Sequence, residues 1–230
     1  MIEMEILSII VALLSTISGI FGIIVLEKFF GNRLRELFED THYLIIFLLV
    51  TGYILYALGE TTYYLTKIFS AKTTEIGIQD LYWSIGGILL TISFFSIAHK
   101  LSKNQDKIKL YSLYFISIIT TLVFIYYISM PSTPFFDYFY PFLSALSFIY
   151  AASIFLFLHT NEELQTPLEI WAIASFFFLI GDLFFGINPL GQTEELALII
   201  ADIAYIAGYT ASCFAFINLY KHLHSLQSKE

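Results

Sequence analysis

Two aspartates stand inside long apolar stretches near the end of the chain. Asp182 lies in LEIWAIASFFFLIGDLFFGI, and Asp202 lies in LALIIADIAYIAGYTASCFAFINLY. A third acid, Glu60, interrupts an earlier apolar stretch. An ionised group at membrane depth costs a few kcal/mol on insertion scales, so it normally faces a protein interior or a wet cavity. These three carboxylates are therefore the residues from which chemistry is expected.

The three acids are predicted to lie at a common depth. Each stands five or six residues inside its apolar stretch, which at about 1.5 Å per residue is roughly 8–9 Å below one membrane surface. Asp80 marks the start of another stretch on that side. The stretches contain no Lys or Arg at this depth, and carboxylates that share a dry site cannot all be ionised. We expect at least one carboxyl group to be protonated or to bind a cation.

Aromatic residues accompany the acids at helical spacing. Tyrosines recur around Glu60 and after Asp202, and Trp83 follows Asp80 by one turn. Phenol hydroxyls and π faces near carboxylates suit an organic cation. They equally suit the role of donors to structural carboxylates, and both alternatives stay open. The candidate ligand-binding residues are Glu60, Asp80, Trp83, Asp182, Asp202, Tyr205 and Tyr209.

The composition places these residues in a membrane protein. The chain has 230 residues, of which 58% are hydrophobic and 13% charged, whereas soluble domains carry about 25% charged residues. The net charge of −8, without a basic patch, excludes a nucleic-acid partner. The lipid bilayer is the expected partner, and the expected location is the cell membrane with several crossings.

Seven apolar stretches are each long enough to span about 30 Å of hydrocarbon. We predict an all-α, seven-transmembrane-helix bundle that forms one domain over 1–220, followed by a polar cytoplasmic tail, 221–230. The predicted spans lie near 6–26, 43–65, 81–98, 109–129, 139–158, 168–187 and 196–220.

The distribution of Lys and Arg predicts the orientation. Loops 27–42 and 99–109 and the tail contain three, four and two of these residues, whereas loop 66–80 on the opposite side contains two. Because cytoplasmic loops are enriched in Lys and Arg, the N-terminus is predicted to lie outside and the C-terminus inside. The acids then lie in the outer half of the bundle.

Histidines do not form a recognisable metal motif. Membrane hydrolases of the ceramidase and adiponectin-receptor type bind zinc near the cytoplasmic face, with an H-x-x-x-H pair in the last helix. His222 and His224 are spaced H-L-H instead, which does not place both side chains on one helix face. We expect no metal and no other cofactor, and the sequence offers no catalytic motif such as G-x-S-x-G or a P-loop.

Small residues recur along the last predicted span. Ala197, Ala201, Ala204, Gly208 and Ser212 form a stripe that allows close helix packing in lipid. Packing within the chain is the simplest interpretation. A homodimer through this face is the alternative.

The stretches GDLFFGINPLG and ADIAYIAGYTASCFAF resemble the last two helices of sensory membrane modules that precede prokaryotic histidine kinases and diguanylate cyclases. The matching positions are Asp182, Asp202, Gly208 and Tyr209. The resemblance implies a sensory function. Since no output domain follows Glu230 in this sequence, it also implies signalling through a separate cytoplasmic partner.

The leading hypothesis is a stand-alone, receptor-like sensory module that binds a small ligand or cation in the outer half of the bundle. The sequence leaves open whether the chain is an enzyme and favours a function without catalysis. A proton- or cation-coupled carrier or channel is the second hypothesis, and a membrane-embedded lipid-modifying enzyme is the third.

Overall fold

The computed structural model describes residues 2–31, 41–69, 77–102, 107–130, 134–157 and 162–227, and nearly all of them are helical. This confirms the predicted all-α class, and each predicted apolar stretch overlaps one helical segment, although the helices Glu162–Asp182 and Glu194–Gln227 extend well beyond the predicted limits at 168 and 220. A π-helical turn, Leu183–Ile187, follows the sixth helix. The seven long helices are α1 (Ile2–Phe30), α2 (Thr41–Phe69), α3 (Ile78–Ser102), α4 (Lys107–Ile128), α5 (Phe135–Phe157), α6 (Glu162–Asp182) and α7 (Glu194–Gln227).

Over the described residues, six of these helices are long and apolar enough to cross a membrane, so the predicted seven spans are supported for all except α5. Helix α5 has 23 residues and carries Asp137 and Pro141 in its first two turns. Helix α7 continues to Gln227, so it includes most of the polar segment 221–230.

Six helices form a closed ring. Neighbours in the ring pack in the order α1, α2, α3, α5, α6, α7 and back to α1. Helix α4 lies outside the ring, mainly against α5, and only Leu113 and Ser117 of α4 are buried. Most of its other large apolar side chains are exposed, as expected of a helix in contact with lipid.

The small-residue stripe of α7 lies inside the bundle. Ala197, Ala201, Ala204 and Ser212 are each at most 5% exposed. A Cβ atom added at Gly208 would lie 2.9 Å from the Phe178 ring of α6. The stripe thus allows α7 to approach α6 closely, as the sequence suggested.

Five large aromatic side chains fill the middle of the ring. Phe216 packs edge-on against Tyr53 and Trp171, with ring centroids 5.3 and 5.2 Å apart. The Phe178 ring contacts that of Tyr209 at 4.9 Å. All five are buried, and we refer to them as the aromatic layer.

A tight connection joins α6 to α7. Asn188 ends the π-helical turn, with its N–H bonded to the Leu183 carbonyl at 3.0 Å, and adopts a left-handed conformation with φ of 46°. Gly191 also has a positive φ. Asn and Gly are the residues that adopt this conformation at least cost, which explains the predicted turn.

Candidate functional site

A cavity lies at the end of the ring where α1, α3, α5 and α7 begin and where α2 and α6 end. We call this the cavity end. The cavity measures about 30 Å³, and no Lys or Arg is among the described residues that line it. Its wall is formed by Tyr56, Glu60, Tyr63, Trp83, Tyr140, Asp182, Phe185, Asp202 and Tyr205.

Asp182 is held by hydroxyl groups from two neighbouring helices. Tyr205 of α7 donates to its Oδ1 atom at 2.6 Å, and Ser144 of α5 donates to its Oδ2 atom. The aspartate is only 7% exposed. Both oxygens thus have a donor, which compensates for removing the carboxylate from water.

Glu60 reaches the cavity from α2. Its Oε1 atom accepts a hydrogen bond of 3.0 Å from Tyr209 of α7, and its side chain is 9% exposed. A carboxylate offers about four lone-pair positions, so this single hydroxyl leaves Glu60 with further acceptor capacity.

Asp202 completes the set of acids in the wall. Its Oδ2 atom accepts a hydrogen bond of 3.2 Å from Ser8 of α1, and its side chain is partly exposed. Glu60 lies within electrostatic range of both Asp182 and Asp202. The three acidic side chains therefore influence one another across the cavity.

Trp83 lies beside Glu60 and is 8% exposed. Its ring occupies the space next to Gly59, where an added Cβ atom would lie 2.6 Å from the indole nitrogen. Among the described residues its Nε1 atom has no hydrogen-bond partner of ordinary geometry. The wall thus contains a buried donor alongside the acids.

Asp80 and Tyr209 do not line the cavity themselves, but each forms a hydrogen bond with a residue that does. Asp80 accepts a hydrogen bond of 2.7 Å from the Tyr140 hydroxyl and one of 2.6 Å from the Gly77 N–H. It therefore positions Tyr140 and caps the start of α3. Tyr209 acts on the cavity through its bond to Glu60. The other five candidates, Glu60, Trp83, Asp182, Asp202 and Tyr205, line the cavity directly.

Sequence reasoning missed Ser8, Tyr140, Ser144 and Phe185. Tyr140 stands five residues into α5, as Trp83 does in α3, so equal depth is a signal that could have identified it. Ser144 follows Tyr140 by one helical turn. No sequence signal identifies Ser8, because only the closure of the ring brings α1 against α7.

The π-helical turn places Phe185 in the wall. Pro141 lacks the N–H that would bond the carbonyl of Asp137 in α5. Gly186 packs directly against that carbonyl oxygen, where a Cβ atom would overlap with it. A proline and a glycine thus allow α5 and the π-helical turn to close this side of the cavity.

The histidines lie elsewhere. His99 bonds the Tyr114 hydroxyl through Nδ1 at 2.7 Å, and His222 and His224 lie in the last turns of α7. His159 falls outside the described residues, and so does the side chain of His42. Within the described part of the chain, no three His, Cys, Asp or Glu residues are placed to hold a metal ion.

The arrangement can attract and hold positive charge. Three carboxylates supply acceptors, the aromatic rings supply π faces, and the tyrosine hydroxyls orient the carboxylates. Comparisons with protein-family models, curated proteins and solved structures find no match to this chain.

Proposed function

We propose that this chain is a receptor-like sensory module of the cell membrane that binds a small cation in the cavity. The observation that supports this most is the convergence of Glu60, Asp182 and Asp202, from three helices, on one cavity whose described lining residues include no Lys or Arg. Burying a carboxylate away from water is costly. A cation would relieve that cost, and its binding would therefore be favoured.

The positive-inside bias suggests how such a module would work. With the Lys- and Arg-rich loops in the cytoplasm, the cavity end faces outwards and is reached by extracellular cations. Helix α7 carries Asp202 and Tyr205 and extends to Gln227 at the opposite end of the bundle. A shift of α7 on binding would thus reach a separate cytoplasmic partner.

A proton- or cation-coupled carrier is the second candidate. The hydrogen bonds that link hydroxyls to Asp182, Glu60 and Asp202 favour it, since such groups can pass protons. Transport also requires access from both sides, however, and the aromatic layer fills the ring beyond the cavity. The receptor is therefore the better supported function.

The two tryptophans of the chain allow a direct test. Trp83 lines the cavity, whereas Trp171 lies in the aromatic layer. The Trp171→Phe variant therefore carries one fluorophore at the site. Titration of this variant in nanodiscs with chloride salts of ammonium, potassium, sodium, calcium and tetramethylammonium should give a saturable fluorescence change with at least one cation.

Matched variants make the test specific. Introducing Glu60→Gln into the Trp171→Phe protein should weaken binding by roughly tenfold or more, the loss expected for a charge-assisted contact. Glu194→Gln, which alters an exposed acid in the first turn of α7, should not. The proposal fails if no salt gives a saturable change, or if proteoliposomes show cation flux that depends on Glu60.

A further inference from the structure

We propose that the exposed face of α4 binds an anionic phospholipid, with the lipid headgroup at Lys107 and the acyl chains along the apolar side chains that follow. This surface lies outside the ring, and its basic end is opposite the cavity, so it is independent of the proposed cation site. Three features support it: the position of α4, the spacing of residues along its exposed face, and the charge where the helix begins.

Helix α4 presents most of its length to the membrane. It packs mainly against α5, and only Leu113 and Ser117 of α4 are buried. Five large side chains on its outward face are more than half exposed: Tyr111, Phe115, Ile118, Leu122 and Tyr126. Because they are three or four positions apart, they form one continuous stripe along the helix. On a helix long and apolar enough to cross a membrane, such a stripe contacts the acyl chains of lipids.

The stripe begins with groups that suit a lipid headgroup. Lys107 stands one helical turn before Tyr111 and is exposed, so both side chains lie on the same face. Tyrosine is enriched where hydrocarbon meets headgroups, because it has an apolar ring and a polar hydroxyl. Tyr126 lies roughly 22 Å further along the helix, at about 1.5 Å per residue. The two tyrosines therefore bracket the apolar part of the stripe, and Lys107 lies beyond it at one end.

Charge distinguishes the two ends of the stripe. The segment 99–110 contains four lysines and one aspartate, which gives it a net charge of +3 however these groups pair with one another. After Lys109 no Lys or Arg occurs before Lys221, and the first turn of the neighbouring α5 carries Asp137. Each Lys or Arg near a membrane surface favours anionic lipid by about fivefold. The basic end of the stripe therefore selects an anionic headgroup over a zwitterionic one.

The same charge disfavours a second copy of this chain on the stripe. Copies in one membrane share an orientation, so α4 of a second copy would place its own basic segment against this one. Like charges repel, whereas the phosphate of an anionic lipid attracts this segment. Charge complementarity thus favours the lipid as the occupant.

Quenching by brominated lipids tests the proposal at a single position. Phe115→Trp places a fluorophore in the stripe, whereas Trp83 and Trp171 are buried and remain shielded from lipid. The variant is reconstituted into vesicles of phosphatidylcholine and phosphatidylglycerol, with bromine on the acyl chains of one lipid or the other. Phosphatidylglycerol should associate with the stripe at least about fivefold more tightly than phosphatidylcholine.

Two matched charge variants make the test specific. Introducing Lys107→Gln into the Phe115→Trp protein should lower this preference by about threefold to fivefold. Lys221→Gln removes an exposed lysine from α7 at the same end of the bundle and should leave the preference within about twofold. Quenching by brominated phosphatidylcholine should be the same in both variants, which is the control for folding and insertion.

Three outcomes would overturn the proposal. Equal association of the two lipids with the Phe115→Trp protein would show that the stripe does not select an anionic headgroup. Equal losses of preference in Lys107→Gln and Lys221→Gln would assign the preference to general surface charge rather than to α4. Weak quenching by both lipids would show that protein, and not lipid, covers the stripe.

Discussion

The cavity end and the aromatic layer both use helices α2, α6 and α7 and both are rich in aromatic residues, yet they differ in what their polar groups contact. In the aromatic layer the Tyr53 hydroxyl accepts a hydrogen bond of 2.9 Å from Ser212, and the space between helices is filled by rings. At the cavity end the tyrosine hydroxyls donate to carboxylates around a small open volume. Tyr209 belongs to both regions. The comparison suggests that aromatic residues support packing in one region and a binding site in the other.

The largest expected effect on stability comes from a substitution in the aromatic layer. Phe216 is fully buried, so Phe216→Ala should lower the free energy of unfolding by about 3–5 kcal/mol through the cavity that it creates. Phe214, two residues earlier on α7, is 56% exposed and serves as the control. Denaturant titration in micelles should show less than about 1 kcal/mol for Phe214→Ala. Equal losses in the two variants would show that the layer does not stabilise the ring.

The next effect acts on the cavity end alone. A Cβ atom at Gly181 would overlap with the Tyr205 ring, so Gly181→Ala should displace Tyr205 from Asp182. We expect a loss of about 1–3 kcal/mol of stability, as for other overpacked sites, and a weaker cation response. Gly19→Ala is the control, because its nearest neighbour would lie at an ordinary 3.6 Å. An unchanged cation response in a folded Gly181→Ala protein would contradict a role for this wall.

A smaller effect distinguishes the role of Asp182 in stability from the role of Glu60 in cation binding. Ser144→Ala removes one of the two hydroxyls that bond Asp182 and should cost about 1 kcal/mol of stability. Cation affinity should stay within about twofold, because Asp182 keeps its bond to Tyr205 and Glu60 keeps its bond to Tyr209. Ser153 of α5 is also buried, but it bonds a carbonyl of its own helix. Ser153→Ala should therefore cost less, and a large fall in cation affinity for Ser144→Ala would assign the cation to Asp182.

Much of this fold follows from hydropathy. The positions of the seven long helices were predictable from the apolar stretches, and for six of them the described residues are long and apolar enough to cross a bilayer. The depth of Glu60, Asp182 and Asp202 followed from their distance to the helix ends. The faces of Tyr205 and Tyr209 followed from helical spacing.

The rest depends on which helices become neighbours. Ser8 bonds Asp202 only because α1 closes the ring against α7, and hydropathy carries no information about that contact. The position of α4 outside the ring could not be predicted from hydropathy either, because the composition of α4 matches that of the other spans. The π-helical turn that presents Phe185 depends on the packing of Gly186 against α5, a tertiary contact without a sequence motif.

Single cysteine substitutions perturb the structure least, and they test which side of the membrane the cavity end faces. In a Cys213→Ala background, Thr193→Cys lies at the cavity end and Ser225→Cys at the opposite end, and both positions are exposed. An impermeant thiol reagent added to intact cells should label position 193 and leave position 225 unlabelled. Labelling of position 225 alone would place the cavity on the cytoplasmic side.

The most direct measurement is crystallographic. Thallium(I) is a monovalent ion close to potassium in size, and its anomalous scattering locates it without ambiguity. Crystals of the protein soaked in a thallium salt should show one strong anomalous peak in the cavity, close to the Glu60 carboxyl group, that is absent in Glu60→Gln. A cavity without a peak at a concentration that labels other cation sites would contradict the account.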